Sequence, residues 1–292
     1  MQHVQIVTDS CAHFTNPHFV QQHPVTVVPN KITIAGKTYR EGVDLSAEEA
    51  FRLMAQQPQA PEVESPTEAD FVEVYTRLAR SCEAIISIHA SRELLPSWQR
   101  ARRAAQQVAG QCPIAVIDSQ TLSAAQGMLV RVAVRAVEEQ PTLDDIERVI
   151  RGAVERIYSV YYIENMGFLA QNKFMSQSHT ILGAMLGIKP LLTVEEGRLR
   201  PMEKVRTRIQ AIEHLVNFAV EFDSVEDALI VQHKPFMSEQ TRMLQERLAV
   251  EFPGRHFPYG MYGPSLAAWI GIDATGLIVL ESEIDRVDDD YS

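Results

Sequence analysis

The chain opens on an apolar run at positions 4–7 that stops in the polar triplet Thr8, Asp9, Ser10, and a second run at 114–117 stops the same way in Asp118 and Ser119. Short β-branched runs recur at 25–28, 31–34 and 84–88. Between them the spacing turns helical, at 47–56, 68–81, 97–109 and 123–139. Within 68–81, Phe71, Val72, Tyr75 and Leu78 share one face, and Thr67 with Asp70 three residues on has the spacing of a capping box. Strands alternating with helices of this length predict a parallel sheet covered on both faces. Hydroxyls and carboxylates delivered at the carboxyl ends of such strands mark the edge where open parallel sheets bind small molecules.

A further helix is expected over 142–158, capped by Thr142 and opened by Asp144 and Asp145. The pattern then changes. Residues 158–163 read as a strand and 178–186 as a short helix, and 189–193 leads through Glu195, Glu196 and Gly197 into 199–204 as a hairpin. Segments 206–221, 228–233, 238–251, 255–261, 264–270 and 276–281 continue this mixture. The expected architecture is α/β: an N-terminal parallel-sheet domain over 1–156 and a smaller C-terminal α+β domain over 157–292, with the ligand site between them.

Composition narrows the function. The 292 residues suit two domains, and a hydrophobic share of 46% fills a core. A net charge of -11 opposes polyanions and excludes nucleic acid as a partner. No apolar stretch approaches the roughly 20 residues of a membrane span, and no positively charged leader precedes the first strand, so a cytoplasmic protein without a stable membrane anchor is expected. Cys11, Cys82 and Cys112 are odd in number and lack Cys-x-x-Cys spacing, as expected of reduced, buried thiols. Nine scattered histidines form no His-x-x-x-His pattern, so no metal is expected. The dinucleotide, P-loop and Gly-x-Ser-x-Gly strings are all missing, which leaves no cofactor. An enzyme centred on Asp9 and Asp118 stays open as an alternative, because paired carboxylates can divide acid and base roles.

The candidate binding residues are small hydroxyls at strand ends and turns: Thr8 and Ser10, Ser65 and Thr67 around Pro66, Ser91, and Ser119 with Ser123. With Asp9 and Asp118 they are expected to line one edge of one sheet. The arrangement resembles the DegV family of fatty-acid-binding proteins almost end to end. Thr8, Asp9, Ser10 is similar to its opening strand, and Val28, Pro29, Tyr39, Glu41, Gly42, Asp44 to its Val-Pro and Tyr-x-Asp-Gly-x-Asp segment. Pro66, Thr67 and Phe71, then Ser91, Leu94, Gln99 and Ala101, then Asp118, Ser119 and Gly127 follow in the family's order. Leu169, Ile188, Lys189, Pro190, Gly197, Lys204, Val205, Arg206, Gly263 and Pro264 continue it through the second half.

The resemblance implies a non-catalytic protein that holds a long-chain fatty acid in an apolar tunnel between its domains and presents the carboxylate to a fatty-acid kinase. It adds Ser97, Met261, Tyr262 and Gly263 to the ligand site, Lys173 and Arg206 as partner-facing residues, and Phe168, Leu182, Met185 and Leu186 as shelter for the chain. Burying about 14 methylenes at roughly 0.8 kcal/mol each is favourable by on the order of 11 kcal/mol. The departures from the family pattern gather at the head-group end. Val63, Glu64, Ser65 stand where the family has Thr-Ser-Gln, Leu95, Pro96, Ser97, Trp98 where it has Ser-Gly-Thr-Tyr, Met261 where it has His, and Lys173 where it has Arg. Each lost hydrogen bond to a carboxylate is worth roughly 1.5 to 3 kcal/mol. An acyl ligand with a different head group is therefore the second expectation, and Glu64 would repel an anion if it faced the site.

Overall fold

The computed structural model describes residues 3–140, 142–171 and 187–283. Four strands, β1 (Val4–Asp9), β2 (Val25–Val28), β6 (Ala84–His89) and β7 (Ile114–Asp118), form a parallel sheet in the order β2-β1-β6-β7. The central β6 has no exposed residue, as a parallel strand covered on both faces requires. Between β2 and β6 the chain inserts an antiparallel sheet of β3 (Lys31–Ile34), β4 (Lys37–Arg40) and β5 (Glu62–Glu64) in the order β4-β3-β5.

Helix α1 (Phe19–Gln22) links β1 to β2, and α2 (Ala47–Met54) lies within the insertion. On the outer face of the parallel sheet, α3 (Glu68–Leu78) and α4 (Ser97–Gln107) cover Val7, Val28 and Ile85. Two caps form as the sequence predicts, Thr67 and Asp70 closing a capping box and Thr142 accepting from the Asp145 amide, and Ser46 caps α2 by accepting from the Glu49 amide.

After α5 (Ser123–Glu139) and α6 (Leu143–Val154) comes a six-stranded mixed sheet in the order β10-β9-β8-β13-β11-β12. Its strands are β8 (Ile157–Ile163), β9 (Lys189–Glu195), β10 (Arg198–Val205), β11 (Val225–Gln232), β12 (Tyr259–Met261) and β13 (Ala274–Glu281). Side-chain alternation gives this sheet two apolar faces. Val160, Tyr162, Ile230 and Leu277 pack under α7 (Arg208–Val220) and α8 (Glu239–Glu251). Tyr161, Ile163, Val231 and Ile278 face the other way, into a core shared with Ile6, Ile86 and Ile117 of the parallel sheet and with α9 (Pro264–Ile270). Helix α5 runs between the two sheets, touching β1 and β6 on one side and β8 and β13 on the other. Its first eight residues are all buried, which is why its composition is apolar all round rather than striped.

Two strands escaped the sequence reading. The four residues of β4 are mostly polar and exposed, and β5 is three residues around Val63. The helix expected to 158 ends at Val154, because Ile157 and Tyr158 already alternate as β8. The segment 255–261 is a strand only at Tyr259–Met261. The expected helix at 178–186 lies outside the described residues. Cys11 is buried, whereas Cys82 and Cys112 are partly exposed, contrary to expectation. Among the described residues no helix is long and apolar enough to cross a membrane.

Candidate functional site

The strand order of the parallel sheet changes direction between β1 and β6, so the crevice of an open sheet falls at Asp9 on one side and Ala90 and Ser91 on the other. The protein fills that position with its own carboxylate. Asp9 Oδ1 accepts from the Cys11 amide at 3.0 Å and Oδ2 from the Ala90 amide at 3.2 Å and the His89 Nδ1 at 2.9 Å. Gln126 Nε2 reaches both Thr8 Oγ1, at 3.0 Å, and Asp9 Oδ1, at 3.5 Å. With its Nδ1 proton given to Asp9, His89 accepts at Nε2 from Ser87 Oγ at 2.7 Å, and Tyr75 donates to Ser87 at 2.7 Å.

The order Asp9, His89, Ser87 has the connectivity of a hydrolase triad. Its surroundings do not. All three are fully buried, Phe71 lies edge-on against the His89 ring at 4.9 Å, and the Tyr75 hydroxyl occupies the side of Ser87 that an attacking nucleophile must leave open. The relay fixes strand ends to a helix.

A second buried network lies beside it. Glu41 Oε2 accepts from the Ser10 hydroxyl at 2.7 Å, the Asn30 amide group at 3.2 Å and the Ser265 hydroxyl at 2.7 Å, and Oε1 accepts from the Ser265 backbone at 2.9 Å. Burial raises the Glu41 pKa, and these donors oppose the rise. Ser10 also accepts from the Asn30 amide at 2.8 Å. The network ties β1, the insertion and α9 together across the length of the chain.

The other expected site residues divide between turns and clasps. Ser91 donates to the Gly197 carbonyl at 2.7 Å, and Arg198 pairs with Glu93, so the β9–β10 turn is latched onto the loop after β6. A Cβ on Gly197, which also has φ of 79°, would collide with the Ser91 hydroxyl. Ser97 donates to Ser65 at 2.9 Å, and Arg100 holds the Ser65 carbonyl at 2.6 Å. Thr67 caps α3. Asp118 accepts from the Arg92 and Gln120 amides, and burial raises its pKa. Ser119 donates to the Thr121 carbonyl.

Asp9 and Asp118 stand on strands separated by β6 and share no hydrogen-bond donor among the described residues. Tyr262 is buried, donates to the Gly271 carbonyl at 2.9 Å and has its pKa pushed up by burial. Gly263 donates its amide to Ser123 Oγ at 2.8 Å, and Met261 ends β12 partly buried. The expectation that these hydroxyls line one sheet edge is corrected. Thr8 lies in β1 and Ser10, Ser91 and Ser119 follow parallel strands, but Ser65 and Thr67 follow β5 of the insertion, Ser97 opens α4 and Ser123 opens α5.

Glu64 is exposed on β5, whereas Leu95 is buried and Val63 is partly buried against the main core. Phe168 borders a cleft of about 190 Å³ shared with Met54, Pro58 and Ile272, which spans the two halves of the chain. Arg206 is exposed on the surface. Lys173, Leu182, Met185 and Leu186 lie outside the described residues. A different cavity, of about 350 Å³, opens between the β1–α1 loop, β2 and α2.

Sequence reasoning passed over His89, Ser87, Tyr75, Gln126, Asn30 and Ser265. Ser87 and His89 carried a usable signal: two polar residues two apart in an apolar strand point to the same face and need a buried partner there. Asn30 and Ser265 lie 235 positions apart and had none.

The sequence profile of the DegV family, whose proteins are described as uncharacterised, matches residues 3–282, and the chain belongs to that family. A DegV domain-containing protein of Caldanaerobacter subterraneus subsp. tengcongensis is 28% identical over 286 residues, 96% of this chain and 100% of that one. Among solved structures, a DegV family protein of Streptococcus agalactiae described as fatty acid binding has a TM-score of 0.86 at 24% identity, covering 97% of this chain and all of that one. DegV of Bacillus subtilis, described as a fatty acid binding protein, has a TM-score of 0.82 at 22% identity, covering 96% of this chain and all of that one.

Proposed function

We propose that this chain is a lipid-binding protein without a reaction of its own, which holds a long-chain fatty acid or related acyl ligand where its two halves meet and presents the polar end to a fatty-acid kinase in the cytoplasm. Family membership over nearly the whole chain carries this reading, together with the described binding of fatty acids by proteins of the same fold. The junction supports it chemically. Val63, Leu94, Val194, Met261 and Ile272 are partly buried apolar residues around the core that the two sheets share. The enzyme alternative finds no support, since Asp9 and Asp118 have separate partners and the Ser87 relay is sealed.

One observation favours a ligand whose head group is not a free carboxylate. Ser91, Ser97 and Tyr262 give their protons to Gly197, Ser65 and Gly271, so among the hydroxyls Ser65, Ser91, Ser97 and Tyr262 only Ser65 keeps a proton without an acceptor among the described residues. A buried carboxylate held by one hydroxyl is poorly compensated.

Native mass spectrometry of freshly purified protein, followed by extraction of the bound molecule, tests both points. Copurified acyl ligand supports the reading, and its head group decides between free acid and an uncharged derivative. An empty protein that turns over a phosphorylated compound would contradict it.

A further inference from the structure

The cavity of about 350 Å³ is lined by the β1–α1 loop, β2, the insertion and Pro264 of α9, shares no lining residue with the cleft beside Phe168, and falls within the range of roughly 300–1,000 Å³ typical of small-molecule sites. Phe14, Val20, Val27, Pro29 and Val43 supply apolar wall, and Phe14 is held by stacking on Phe19 at 4.8 Å. Three polar side chains of the lining are already engaged. Ser10 donates to Glu41, the Glu41 carboxylate takes four hydrogen bonds, and Asn16 bonds Gln22 and the His18 amide. The fourth, His13, has no side-chain hydrogen bond among the described residues, while its backbone is pinned through its amide to the Ser123 carbonyl at 3.1 Å. The surrounding protein lowers the His13 pKa to about 4, which keeps the ring neutral at physiological pH.

We propose that this cavity is a second ligand site, built for an uncharged, mainly apolar small molecule whose single hydroxyl group bonds to the His13 imidazole. A neutral imidazole offers one donor and one acceptor, and a hydroxyl satisfies either. The charge pattern selects against anions, because the Glu41 carboxylate shares the cavity and no cation lines it. The inference does not depend on the reading of the junction.

The test uses the full chain with ¹⁵N-labelled histidine and octan-1-ol as probe, with octanoate as its charged counterpart. Saturable shifts of the His13 ring nitrogens with octan-1-ol, and none with octanoate, are expected. Ala47→Met, which projects into the cavity from the partly exposed first turn of α2, is expected to abolish the shifts, and Val27→Phe provides a second filling variant should the first unfold. His13→Phe, followed by calorimetry, should weaken octan-1-ol by up to roughly tenfold, the loss of one hydrogen bond. The proposal is overturned if octan-1-ol perturbs other residues but leaves His13 unmoved, if octanoate shifts it equally, or if a folded filled variant responds like the parent.

Discussion

At the residue scale the molecule is governed by two buried carboxylates, Asp9 and Glu41. Among the described residues, every hydrogen bond to the Asp9 carboxylate comes from a donor: two backbone amides, the His89 ring and the Gln126 amide. Asp9→Asn turns one acceptor into a donor facing other donors. A loss of about 2–5 kcal/mol is expected in denaturant unfolding, with the fold's binding behaviour unchanged wherever the variant remains folded.

His13 gives a pH signature. Its folded pKa of about 4 lies below the ordinary 6.5, so the unfolded chain takes up the proton first as pH falls. The stability due to its neutral state is complete above 6.5 and is lost between 6.5 and about 4, by up to about 3 kcal/mol. Subtracting the stability curve of His13→Phe from that of the parent should isolate this slope, and a flat difference across that window would show that the ring titrates normally.

At the scale of elements, the glycines of two helices predict opposite outcomes. A Cβ at Gly127 in α5 would collide with the His13 carbonyl, so Gly127→Ala should cost about 1–3 kcal/mol through overpacking. Gly152 in α6 has open space around its Cβ position, and Gly152→Ala should stabilise by roughly 0.5–1 kcal/mol through the unfolded chain and helix propensity. Chemical denaturation of both variants checks the pair, and equal effects would mean that α5 is not pressed onto the β1–α1 loop.

The elements were legible in the sequence where burial is nearly continuous, as in β1 and β6, and where caps have local chemistry, as at Thr67 and Thr142. The edge strands β4 and β5 were not, because exposed polar strands carry no apolar alternation. The clasp from Ser91 to Gly197 was hidden for another reason: 106 positions separate its partners, and a serine after a strand reads locally as a turn.

At the scale of the whole molecule, one core joins both sheets, with α5 between them and the β9–β10 turn latched over the end of the parallel sheet. The sequence leads one to expect the polar groups at the ends of the parallel strands to face a ligand, whereas the folded chain turns most of them on one another. On the proposed reading, the acyl chain would meet the partly buried apolar residues Val63, Leu94 and Met261, which pack against this core. Photocrosslinking with a diazirine-bearing hexadecanoic acid and a matching hexadecanol, followed by peptide mapping, tests that claim most directly. The account predicts saturable adducts on peptides from both halves, at Val63–Thr67, at Leu94–Ser97 and at Met261–Gly263, stronger with the alcohol. Saturable labelling confined to one half, away from all three segments, would contradict it.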